Sequence, residues 1–296
     1  MTSPMTGWLC LLMSATMSAP PGDFPEFKTG QYDITFEESS PDTAPAELDR
    51  RLDVDQEPPA YDIATEKFHV WVPNAYAHDS EWGLFVWVDA GEAPRIHEDW
   101  EKVLAEHKLL AIAAYHSGNR RHAVSRMQLA VDAAFNMRRR FNITPRRVYI
   151  SGVSGGGRVA SMVGIAYADV FSGTFPIVGA NFYKPIPAPG GGHYPPAFAP
   201  VGTILARAKE RNRFVFLTGS KDFNRKNTKD VYRRGFEAEG FRHVLYLEVP
   251  CVTPYPRASG SPRGSTSSIG TTRRPRPRRR SVVNLCCCGL VFRKGL

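Results

Sequence analysis

The chain has 296 residues, 42% of them hydrophobic and 23% charged, a composition that excludes a collagen, a coiled coil and a chain disordered throughout. Its formal net charge of +9 would ordinarily point to nucleic acid or an anionic membrane. That excess sits in residues 251–296, which hold nine Arg, one Lys and no acidic residue, while the first 250 hold 28 basic and 29 acidic side chains, so no nucleic-acid partner is expected for the folded part.

In chain order, residues 1–19 carry a short apolar stretch at 7–13 followed by small residues and then Pro20-Pro21. This pattern resembles a secretory signal with a weak positive start, which implies a secreted or periplasmic protein. The alternative is an uncleaved, disordered start on a cytoplasmic protein. The stretch is too short to span a bilayer, which takes about 20 apolar residues. Residues 20–62 are rich in Pro, Asp and Glu and are expected to be an irregular, acidic lead-in with one strand near 32–36.

From 63 to 250 apolar runs alternate with amphipathic segments. Strands are expected at 68–72, 84–88, 109–114, 148–151, 174–178, 214–217 and 244–249. Most are continuous apolar runs, the mark of strands buried on both faces of a parallel sheet. Helices are expected at 94–107, 122–140, 155–168, 203–211 and 226–239. In the second, Ala123, Met127, Ala130, Ala134 and Met137 share one face and leave Arg121, Arg126 and Arg138 for others. Strand and helix in repetition predict an α/β, three-layer sandwich, mostly parallel, with helices on both faces of the sheet.

The chemistry concentrates at Gly152-x-Ser154-x-Gly156, directly after one expected strand and directly before a helix. A sharp strand-to-helix turn strains the backbone of Ser154, and side chains two positions either side would collide with it, hence the glycines. The same turn aims the Gly155 N–H and the helix N-terminus at an oxyanion forming on a substrate. No Lys-[Ser/Thr] follows the glycines, which speaks against a phosphate-binding loop.

Three segments together carry a family resemblance: Val86-Trp-Val-Asp-Ala-Gly91, Tyr149-Ile-Ser-Gly-Val-Ser154-Gly-Gly-Gly-Arg158 and Leu217-Thr-Gly-Ser-Lys-Asp222-Phe-Asn. Residues 67–250 resemble the α/β-hydrolase superfamily, nearest its polyhydroxybutyrate depolymerase and feruloyl esterase-like branch. The resemblance implies an ester hydrolase acting through an acyl-enzyme on Ser154, with no metal or organic cofactor. It implies Asp222 as the acid that supports the catalytic imidazolium, with a turn or helix-capping role as the alternative and Asp230 as the weaker candidate. It also implies that Ala90 or Gly91 supplies the second oxyanion N–H, although Asp-Ala-Gly stands where relatives more often carry His-Gly. A serine peptidase of the prolyl oligopeptidase type shares the elbow and is the alternative enzyme; a non-catalytic protein of this fold with a basic, anion-binding tail is the alternative outside enzymes.

The family places its histidine shortly after the last strand, yet no histidine follows His243. Three explanations are open: residues 251–296 are a shifted reading frame, another histidine substitutes, or the fold is non-catalytic. His193, in the Gly/Pro-rich insertion 183–200, is the candidate substitute base; His116, at an expected strand end, is a candidate substrate-binding residue. The tail is rich in Ser, Thr, Pro and Gly and is expected to be disordered. Its Cys251, Cys286, Cys287 and Cys288 join Cys10 as the only cysteines, so residues 11–250 hold no disulfide or thiolate metal site.

Overall fold

The structure, a computed structural model, describes residues 26–53, 60–94 and 96–250. The expected signal segment and the basic tail lie outside the described residues. No described helix is long and apolar enough to cross a membrane.

The apolar runs become one eight-stranded sheet. In chain order its strands are β1 (Gly30–Thr35), β2 (Lys67–Val72), β3 (Trp82–Val88), β4 (Leu109–Ala114), β5 (Ile143–Val153), β6 (Gly173–Ile177), β9 (Arg213–Gly219) and β10 (His243–Val249). A separate two-stranded pair, β7 (Ile186–Pro187) with β8 (His193–Tyr194), forms within the insertion after β6. Strand order in the large sheet is β1-β2-β4-β3-β5-β6-β9-β10, and β2 alone runs opposite to the other seven strands. All seven residues of β3 are buried, as its unbroken apolar run requires. β5 begins earlier than expected, at Ile143, because a bulge opposite Trp82 and Leu84 carries the pairing past Pro145, which lacks an N–H for a regular ladder.

Two apolar clusters fill the two faces of the sheet. One gathers α3 (Ala123–Arg140), α4 (Gly155–Ala166), α5 (Gly202–Arg211) and the last helix against β3, β5 and β9; the other gathers α2 (Glu98–Glu106), whose Trp100 packs edge-on against Trp87 at 4.8 Å. The last helix differs from the single α-helix expected at 226–239. It runs as α6 (Arg225–Asp230) and then as a π-helix, Val231–Glu237. The π geometry brings residues five apart into line, and Val231 and Phe236 are both buried in the core. Arg126, expected off the core face of α3, is also buried, because α3 is enclosed on nearly every side.

The lead-in is more ordered than its composition suggests. β1 pairs along all of β2, and α1 (Pro45–Leu52) buries Leu48 and Leu52. The helix is anchored by Arg51, 3% exposed, whose guanidinium donates to Asp42 (2.8 Å), Glu47 (2.6 Å) and both carboxylate oxygens of Asp169 (2.8 Å each). Acidic residues that looked like a solvated run are thus partners of a buried cation. Leu52 O in turn accepts from Ala199 N–H (2.8 Å), so α1 also holds the insertion after β6 in place.

Hydrogen bonds from Arg50 and then Arg51 hold the Glu47 carboxyl down to about 2, and Arg51 outweighs burial to keep Asp169 below its ordinary value. Depressed carboxylates stabilise the fold above their unfolded pKa, near 4.5 for Glu47, and lose that contribution as pH falls toward about 2. Arg51→Met is expected to cost about 2 kcal/mol at neutral pH, since it leaves three acids without their shared cation and all three are partly solvated. The variant is also expected to lose less further stability than the parent across the acid window. Urea midpoints at neutral pH and within that window check both; parallel acid profiles would refute the account.

Candidate active site

β5 delivers Ser154 to the carboxyl edge of the sheet and α4 leaves directly behind it. Ser154 takes φ 55° and ψ −115°, a strained conformation for a residue with a side chain. Its N–H donates to Ile177 O (2.8 Å), and its own carbonyl accepts from Arg158 N–H (3.1 Å). The flanking glycines are required by contact rather than by φ. A Cβ on Gly152 would lie 2.5 Å from the backbone of Gly156 and 2.6 Å from Val88 O, and one on Gly156 would fall on Val88 O itself. Ser154 and Gly155 are partly exposed, at a helix start whose first amides have no intrahelical partner.

β3 ends in the loop that faces this elbow, because Val88 is the register partner of Gly152. Asp89 organises that loop: its carboxylate accepts from Trp87 Nε1 (3.1 Å) and from Gly91 N–H (2.8 Å). The Gly91 amide is therefore occupied, and no described group accepts from that of Ala90. Further backbone bonds fix the loop, Asn119 N–H to Ala90 O (3.1 Å) and His116 N–H to Glu92 O (2.7 Å). From behind, Arg126 donates to Asp89 O (3.0 Å), and burial lowers its guanidinium to about 10 against the pull of Asp89 and Glu92. Sequence alone did not single out Asp89 or Arg126. An Asp two residues before Gly at a strand end is a turn signal that could have marked the first; nothing local marks the second.

Asp222 lies in the turn after β9, buried, with one carboxylate oxygen accepting from Asn224 N–H (2.8 Å). This turn adjoins the end of β10, where Ser220 N–H donates to Val249 O (2.8 Å). Asp230, the weaker candidate, is turned to Lys226 (3.2 Å) and Arg234 (4.0 Å). One strained residue escaped sequence reading: Val178, β-branched yet at φ 48°, follows β6 between the elbow and β9 and is tied to Leu217 O (2.9 Å).

Among the described residues no histidine is hydrogen-bonded to Ser154. His193 is exposed on β8, opposite Pro187. His116 is 73% exposed at φ 52°, 3.7 Å from Glu92 on the rim of the β3 loop. His122 opens α3, and its Nδ1 is buried without a hydrogen-bond partner. No three His, Cys, Asp or Glu side chains among the described residues gather into a metal-binding group. Two cavities lie under the insertion and share Pro196 and Ala197. One, about 460 Å³, reaches His122, Met162 and Tyr183; the other, about 270 Å³, reaches Arg158, Asn181 and Tyr194.

No protein-family model and no curated protein sequence matches the chain. Solved structures do. S-formylglutathione hydrolase (FrmB) from Staphylococcus aureus aligns with a TM-score of 0.50 at 12% identity, over 76% of this chain and 92% of that one. A CE1 ferulic acid esterase from Anaeromyces mucronatus gives 0.49 at 11% identity, over 74% and 82%. A thermostable esterase gives 0.46 at 16% identity over 74% of this chain, but the match spans only 54% of that enzyme. The strand order, the single antiparallel second strand and the alignment with the S-formylglutathione hydrolase agree: the chain has the α/β-hydrolase fold.

Proposed function

We propose that the chain is built as a carboxylic ester hydrolase with Ser154 as its nucleophile. The observation that carries this reading is the strained, partly exposed Ser154 between β5 and α4, facing the organised loop after β3. In the proposed reaction Ser154 Oγ attacks the ester carbonyl, the N–H groups of Gly155 and Ala90 receive the developing oxyanion, the C–O bond to the alcohol breaks as the alcohol leaves carrying the serine proton, and water then hydrolyses the acyl-serine to the free acid. Ala90 is preferred to Gly91 because the Gly91 amide is already bonded to Asp89. Asp222 is the acid of the charge relay, at the edge where an imidazole would lie between it and the serine. Export from the cytoplasm belongs to the same proposal and rests on the apolar stretch at 7–13.

The base is the missing element. No histidine follows His243, and a serine hydroxyl without a base is a weak nucleophile at neutral pH. That observation favours a second reading, a protein of this fold that binds without turnover. A fluorophosphonate probe separates the two: adduct formation on the intact chain that disappears in Ser154→Ala supports the hydrolase. Absence of any adduct supports the binding protein.

A further inference from the structure

We propose that Arg158 and the cavity beside it form an anion subsite for the free carboxylate of a small organic acid or half-ester, an assignment that rests on the hydrolase reading only for its place next to Ser154. Arg158 stands one helical turn beyond the nucleophile. Its side chain crosses Gly179, where a Cβ would lie 3.5 Å from Arg158 Cγ and closer still to Ser154 O. The guanidinium ends between the elbow and the Asp222 turn. There Nη1 donates to Asn181 Oδ1 (3.3 Å) and Nη2 to Asn224 Oδ1 (3.4 Å), two long bonds to neutral groups.

Its charge has no counterpart. Among the described residues no carboxylate lies within ion-pair distance of Arg158, whereas Arg51 and Arg121, also shielded from solvent, are paired with Asp42, Glu47 and Asp169 and with Glu66. Asp230, the acid that shares Tyr194 as a neighbour, is held by Lys226. Burial lowers the Arg158 pKa from its ordinary value, as expected of a cation that has lost water without gaining an anion. A half-buried guanidinium in that state is a standing cost that a bound anion would relieve.

The cavity fits a carboxylate on an apolar stem. Its walls include Phe182, Ile186, Tyr194 and Val231, and its volume of about 270 Å³ suits a small ring. The planar fork of Arg matches a carboxylate with two parallel bonds. Through Pro196 and Ala197 the larger cavity offers room for the rest of a longer molecule.

Calorimetric titration of the full chain with benzoate, with neutral benzamide and with inorganic phosphate, at physiological ionic strength, tests the assignment. Benzoate is expected to bind roughly tenfold or more tightly than benzamide, and Arg158→Met to erase that preference. The basic tail is present in both proteins, so its contribution cancels. Equal binding of benzoate and benzamide, or equal benzoate binding by parent and variant, overturns the subsite. So does phosphate binding that is lost in Arg158→Met yet is not displaced by benzoate. Should Arg158→Met not fold, Arg158→Lys serves, since an ammonium cannot form the paired bonds and an unchanged preference would refute the site. The titration involves no turnover, so an unreactive Ser154 sinks the hydrolase reading and leaves this one standing.

Discussion

Free imidazole is expected to accelerate hydrolysis of p-nitrophenyl acetate by the intact chain roughly tenfold or more beyond its effect on Ser154→Ala. On the proposed reading, the reason is that Ser154 is set in its strained turn while the sequence supplies no histidine after His243 to serve it. In the proposed reaction the oxyanion is received by the Gly155 N–H at the start of α4 and the Ala90 N–H in the loop after β3. Asp222 is fixed in the turn after β9, yet the sequence places no histidine after His243. Loss of the base in a serine hydrolase costs on the order of a million-fold in turnover while oxyanion stabilisation persists. A diffusible imidazole can recover part of that loss if the serine is otherwise ready. Imidazole also cleaves the ester directly, so the quantity that decides is the difference between the chain and Ser154→Ala. Identical rates for the two proteins at every imidazole concentration would show that Ser154 is not a nucleophile in this chain.

Gly156→Ala is expected to be the most damaging single methyl group that can be added near the site, at about 3 kcal/mol or more. The added Cβ would meet Val88 O at a separation no real pair shows, with Val88 C at 2.9 Å and Asp89 C at 3.3 Å behind it. None of these atoms belongs to a flexible side chain. Val88 is buried and in register with Gly152, which is itself pressed against Gly156, so neither β3 nor the elbow can yield alone. Relief would require the loop from Asp89 to Gly91 to move, with the Ala90 amide on it, so loss of fluorophosphonate labelling should accompany the loss of stability. Gly192→Ala is the control, because nothing lies within 4 Å of its Cβ and its φ of −83° is ordinary. Its urea midpoint should stay within about 0.5 kcal/mol of the parent. A Gly156→Ala midpoint equally close to the parent would mean the elbow and β3 are not locked together as described.

Much of the sheet was legible because its signals are local. A run such as 109–114 is apolar at every position, and only a strand covered on both faces calls for that, so β4 appears where the residues place it. The elbow was legible for the same reason, since strand, Gly-x-Ser-x-Gly and helix are contiguous, although the contact that forbids a side chain on Gly156 comes from Val88 of β3. Element limits moved where local rules compete with packing, as at Pro145 in β5 and at the π turn that aligns Val231 with Phe236.

What the sequence by itself determined, then, is the α/β sandwich, the position of Ser154 at a strand-to-helix turn and the lack of any histidine beyond His243. Tertiary structure decided the rest, since each remaining feature depends on which distant groups meet. Arg51 converts an acidic lead-in into a docked helix because Asp169, 118 residues away, closes on it. Asp89 chooses between two adjacent amides by occupying one of them. Arg158 becomes notable only because the fold bonds it to two asparagines and brings no described carboxylate within ion-pair distance, a property of a cavity rather than of a motif. Periodicity and turn chemistry are written within a few residues of one another, whereas charge pairing and burial are settled between segments that the chain keeps far apart.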